Sequence, residues 1–138
     1  MINTSTPNSE PDYDRLVDHL VDRFGDDLRW VASFDTTRYD YDVRYIRPDL
    51  TTELSSRDLD IVVHRSIALF RRPYVEEVYD HLGPARTLVL EHERATAVHV
   101  YLSDTTGVIV KIRAGHEVPI PSFTEECLDA LYSGGRPS

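Results

Sequence analysis

Between Arg86 and Arg113 the sequence reads RTLVLEHERATAVHVYLSDTTGVIVKIR, and three short runs within it alternate at period two. The runs carry Leu88 and Leu90, then Val98, Val100 and Leu102, then Val108, Val110 and Ile112. Polar turns at His92–Ala95 and Ser103–Gly107 separate them. Strand side chains point alternately to opposite faces, so one parity in each run marks one buried face. Connections this short restrict the segment to an antiparallel three-stranded meander, with Gly107 free to take a positive φ if its turn needs one.

The even-numbered face of that meander is wholly apolar. The odd-numbered face mixes Val89, Ala97, Tyr101 and Ile109 with Glu91, His99, Lys111 and Arg113. So much apolar surface calls for cover on both sides: helices first, and a partner subunit for the remainder. Val89, Ala97, His99, Tyr101 and Ile109 are therefore the candidate interface residues.

The rest of the chain supplies the cover. Residues 1–10 read as a flexible tail, 11–133 as one domain, and 134–138 as a second tail. Tyr13, Leu16, Val17, Leu20, Val21 and Phe24 recur at helical spacing with aspartates opposite, with Ser9 and Asp12 as a cap and Gly25 as the stop. Leu28, Trp30, Ala32 and Phe34 share one parity of a first strand. Tyr39, Tyr41, Val43 and Tyr45 alternate with Asp40, Asp42 and Arg44 in a second, edge strand. Ser55 or Ser56 caps a second helix with the stripe Leu59, Val62, Val63, Ile67 and Phe70. That helix breaks at Arg71-Arg72-Pro73 and restarts with Val75, Val78, Tyr79 and Leu82 before Gly83-Pro84. Ser122-Phe-Thr-Glu125 is a capping-box pattern for a last helix carrying Phe123, Cys127, Leu128 and Leu131. The expected fold is α/β of the α+β type: a five-stranded antiparallel sheet with helices on both faces, in the order α-β-β-α(broken)-β-β-β-α.

Composition narrows the function classes. Acidic residues outnumber basic ones 24 to 15, for a formal charge of −9, which opposes general nucleic-acid binding. Lys111 is the only lysine, and aspartate outnumbers glutamate. A lysine-poor, aspartate-rich surface is expected of a cytoplasmic protein from a high-salt organism, where screening makes dense like charge cheap. Cys127 is the sole cysteine, so no intrachain disulfide forms. The first residues lack the pattern of a secretory signal, and no apolar run reaches the ~20 residues of a membrane span.

Two resemblances follow from these residues. The element order resembles the roadblock/LC7 arrangement, with profilin-like and PAS-like sheets as close competitors. That likeness implies a homodimer and a regulatory protein partner, a small GTPase for some members, and it carries no functional residue across. The break at Pro73 departs from it, since that fold more often has one long helix there. The run DDLRWVASFDTTRYDYDVRYIRPDL, then YDHLG, then TAVHVYLSDTTGVIVKI, is similar to a family of small haloarchaeal proteins described only as a domain of unknown function.

No catalytic motif emerges. His92 and His99 flank the first meander turn, but opposite parity sends them apart, so no metal is expected. His116-Glu117 lies in a loop, and His19, His64 and His81 read as surface or helix-end residues. The tyrosines at 39, 41 and 45 suggest a packing or dimer seam, because the intervening aspartates oppose phosphate. Arg65, Arg71 and Arg72 make a small basic cluster at the helix break. No cofactor is implied, and no P-loop, G-x-G-x-x-G or C-x-x-C is present. The expected function is a non-enzymatic, cytosolic interaction or regulatory module. The alternative is a small-ligand sensor with a pocket between the sheet and the helical segment 59–82.

Overall fold

The computed structural model describes residues 10–53 and 55–132. The tails expected over 1–10 and 134–138 lie outside the described residues, apart from Glu10. Helix α1 (Tyr13–Phe24) leads into β1 (Leu28–Asp35) and β2 (Asp40–Ile46). A short turn of helix, α2 (Leu50–Glu53), precedes α3 (Ser56–Phe70) and α4 (Arg72–Val78). The meander is β3 (Thr87–Glu91), β4 (Ala95–Tyr101) and β5 (Thr106–Arg113), followed by α5 (Ser122–Leu131). The strands form one antiparallel sheet in the order β2-β1-β5-β4-β3. The α+β architecture and element order are those expected from the sequence.

The sheet is covered on both faces. Leu16 and Leu20 of α1 and Phe123, Cys127 and Leu131 of α5 pack on Val31, Val98, Val100, Val108, Val110 and Ile112. On the other face Leu59, Val63 and Ile67 of α3 cover Trp30, Ala32, Phe34, Tyr101 and Ile109. Burying each such aliphatic or aromatic side chain contributes about 1.5–3 kcal/mol, which is why the three interior strands, β1, β5 and β4, carry apolar residues on both sides.

Local caps differ from the sequence expectation in two places. Asp12 itself caps α1, its Oδ1 accepting from the Arg15 backbone N–H at 3.1 Å. Helix α5 begins at Ser122, so that residue is not its cap; the Ser122 hydroxyl donates to the Pro119 carbonyl instead. The box at α3 does form, with Ser55 as the cap and Asp58 reciprocating.

Register, which parity alone does not reveal, overturns three assignments. The β3–β4 hairpin closes on His92 and Ala95, with two residues beyond that pair, so Val89 faces with Val98 and Leu88 faces with His99. Leu88 and Leu90 therefore lie on the α3 side, not with the even-numbered valines of β4 and β5. A bulge between Leu28 and Trp30 turns Leu28 to the α1–α5 side and Trp30 to the α3 side. A second irregularity, opposite Val31 and Ala32, splits the tyrosine row: Tyr41 packs on the α3 side and Tyr45 on the α1–α5 side. Tyr39 is not in the strand at all but sits in the preceding turn with φ +54°. Gly107 does not supply a positive φ; it lies inside β5, paired with Phe34 and Tyr101.

Candidate functional site

The proposed interface set divides between the two faces. Ala97, His99, Tyr101 and Ile109 lie on the α3 side and are buried within the chain by its own helices, His99 to 2% exposure. Val89 is on the opposite face and 37% exposed. These five residues do not form one accessible surface, because the hairpin register inverts β3 and because α3 lies over the others. The Tyr101 hydroxyl donates to the Phe70 carbonyl at the end of α3, satisfying a carbonyl the helix leaves open. His99 stands edge-on to Phe70, with ring centroids 5.5 Å apart, and burial together with the Lys111 charge lowers its pKa to about 4.

His19, His64, His81 and His116 each lie beside a carboxylate. His19 bonds Glu126 at 3.1 Å, and His116 bonds Asp27 at 2.7 Å while meeting the edge of Phe24. That bond to His116 is the largest reason the Asp27 carboxyl titrates below its ordinary value. His64 stacks on Tyr39, meets Tyr41 edge-on, and lies 3.3 Å from Asp60. His81 is exposed beside Asp80. The inverted register puts His92 on the same face as His99, four ladder positions away. Among the described residues no group of three or more histidine, cysteine, aspartate or glutamate side chains converges as a metal site would require.

Within the basic cluster at the helix break, Arg71 and Arg72 are engaged by neighbouring residues, and Arg65 is exposed. Arg72 donates to the Ala85 carbonyl and pairs with Glu76, while Arg71 stacks on Tyr74 at 4.4 Å. These contacts hold the corner at which Pro73 enters the first turn of α4. The Cys127 thiol is buried in the α5 seam, and burial, then the Glu126 charge, pushes its pKa up to about 12. Nucleophilic work needs an accessible thiolate, so this cysteine is a core residue. The native protein should not react with a thiol reagent at neutral pH and should react once per chain after unfolding in urea. Rapid labelling of the native chain would show that α5 leaves the sheet.

Two features remain. The first is apolar. The restart after Pro73 does not bury the stripe expected of it: Val75 packs inward, but Val78, Tyr79 and Leu82 are exposed. With Leu69 these are the four most exposed large hydrophobic residues among those described, at 61–70%, and all fall within residues 69–82. Tyr74, one helical turn before Val78, is about half exposed.

The second is a cavity of about 280 Å³ where the sheet meets α3, lined by Arg29, Trp30, Leu59, Val62, Arg94, Ala95 and Lys111. Sequence reasoning missed its basic residues. Arg29 enters through the β1 bulge, Arg94 through the hairpin turn and Lys111 through β5, and only the register brings them together. A smaller cleft of about 180 Å³ beside β2 mixes Asp35, Asp40 and Asp42 with Arg38 and Arg44 and so balances its own charge.

No helix among the described residues is long and apolar enough to cross a membrane. No curated protein matches the chain. The model of a family described as a domain of unknown function, DUF7522, matches residues 14–132. That match runs through all five strands and both helical covers. The chain, with its two-faced sheet, its exposed 69–82 segment and its basic pocket, belongs to the DUF7522 family.

Proposed function

We propose that this protein is a non-enzymatic interaction and regulatory module that works as a homodimer, joined through the apolar surface of residues 69–82. The exposure of Leu69, Val78, Tyr79 and Leu82 carries the reading. Large apolar side chains gathered on one segment lose free energy in water and regain it against a partner. The alternation of strands and helices, which resembles the roadblock arrangement, is consistent with a regulatory scaffold. The acidic, arginine-dominated composition supports a cytosolic setting in a halophilic archaeon, where strong screening removes the repulsion between two copies of charge −9.

Sedimentation equilibrium in molar KCl tests the proposal. The wild-type chain should be dimeric and a Val78→Asp, Leu82→Asp variant monomeric. Both positions are exposed, so the variant should keep its fold, as checked by circular dichroism. A monomeric wild type, or a folded variant that stays dimeric, would overturn the proposal.

A second reading, a small-ligand sensor, is favoured by one observation. The 280 Å³ cavity lies between the sheet residues Trp30 and Lys111 and the helix residues Leu59 and Val62. Its volume falls just below the range of drug-sized sites, about 300–1,000 Å³, and suits a small metabolite.

A further inference from the structure

Carboxylates outnumber cations 24 to 15 in this chain, yet three cationic residues line one cavity with no carboxylate among the described residues of its wall. Six arginines elsewhere sit beside acids: Arg23 with Glu126, Arg44 with Asp42, Arg47 with Asp49, Arg72 with Glu76, Arg86 with Glu125 and Arg113 with Asp27. No such pair links Arg29, Arg94 or Lys111 to any described carboxylate. Asp49 feels the field of Arg29 only weakly and is itself held by Arg47 at 2.6 and 2.9 Å.

Like charges gathered in a half-buried site repel one another, and the repulsion is relieved when an anion joins them. Lys111 registers that repulsion: burial first, and then the nearby Arg29, lower its pKa from the ordinary lysine value. The walls are made for a compact organic ligand as well as for charge. Trp30 presents its ring 5.7 Å from the Lys111 ammonium, and Leu59 and Val62 of α3 add apolar wall. Two guanidinium forks and one ammonium are the donor set that grips a carboxylate or phosphate oxygen cluster.

We propose that the cavity between β1, β5, the β3–β4 turn and α3 binds a small oxyanion, held by Arg29, Arg94 and Lys111 against Trp30. This rests on the sensor reading, for which it names the ligand class, and is independent of the dimer. Carboxylate and phosphate share the chemistry the site recognises, so the probes are inorganic phosphate and succinate, each at constant ionic strength set with KCl.

Thermal unfolding is the first measurement. One or both probes should raise Tm of the wild type in a saturable way, and the rise should be lost in Lys111→Met and in Arg29→Gln. A response to phosphate alone assigns a phosphoryl ligand, and a response to succinate alone assigns a carboxylate. An equal rise in wild type and variants would mean general salt stabilisation and would overturn the site. The second measurement needs no variant. Because Lys111 is the only lysine, reductive ¹³C-methylation of the wild-type chain gives one side-chain lysine signal. That signal should move on adding the binding anion, and a stationary signal would overturn the proposal even if Tm rose. A screen of neutral metabolites separates the two readings. Stabilisation by a neutral compound, with no response to either anion, would retain the sensor and remove the oxyanion assignment; no response to any compound would remove both.

Discussion

Replacing Gly107 by alanine should lower the stability of the fold by about 2 kcal/mol, the middle of the range for forcing atoms into a packed interior. The position reads in sequence as a turn glycine, but its backbone is ordinary extended strand and its importance is spatial. A Cβ there would lie 2.6 Å from the tip of the Phe34 ring and 2.7 Å from the Val100 carbonyl oxygen. The ring can swing, at the expense of its packing on the α3 side. The carbonyl belongs to the neighbouring strand of the ladder and cannot. A Phe34→Leu background should therefore recover part of the loss but not all of it. Urea unfolding of the two single variants and the double variant, compared as a cycle, checks this. A change below about 0.5 kcal/mol in the single alanine variant would mean that β4 and β5 approach less closely than described.

The stability of the wild type should fall by about 2–3 kcal/mol between pH 7.5 and pH 4.5 on account of His99 alone. Its folded pKa is about 4, against 6.5 for an unperturbed histidine, because the ring is buried beside Phe70 and near the Lys111 charge. Between those two values the unfolded chain binds a proton that the native chain refuses. Stability therefore declines as pH drops through 6.5 and levels off near 4. Asp27, Asp35 and Asp49 have lowered values for the opposite reason: hydrogen bonds to His116, Thr37 and Arg47 favour their charged forms. Their contribution is present above the ordinary aspartate value and is lost below it, in a separate and more acid window. A His99→Leu variant should remove the decline between pH 6.5 and 4 and leave the more acid limb. Denaturant midpoints across the range provide the test, and an unchanged slope in the variant would place the titration elsewhere.

Both predictions concern residues that the sequence marked but assigned differently. Gly107 was read through backbone freedom and His99 through surface parity. Each is set by what lies across the sheet from it. The same holds for the pocket: nothing in the spacing of Arg29, Arg94 and Lys111 relates them. Their common wall exists because the β1 bulge, the two-residue hairpin tip and β5 end at one corner.

What this sequence determined by itself was the identity and order of the elements. Period two in β4 and β5, period 3.6 in α1 and α3, and the stops at Gly25, Pro73 and Gly83-Pro84 are local properties, written in residues a few positions apart. Val98, Val110 and Ile112 are fully buried, as their alternation demands. What only the tertiary structure decided was which face each strand presents and which apolar residues stay outside. One extra residue at a bulge, or an even-numbered hairpin tip, exchanges the two faces of a strand without altering its pattern. In the same way Val78, Tyr79 and Leu82 keep a helical spacing while the corner at Pro73 carries them beyond the edge of the core. Short-range patterns record that a side chain prefers burial; long-range pairing decides whether anything arrives to bury it.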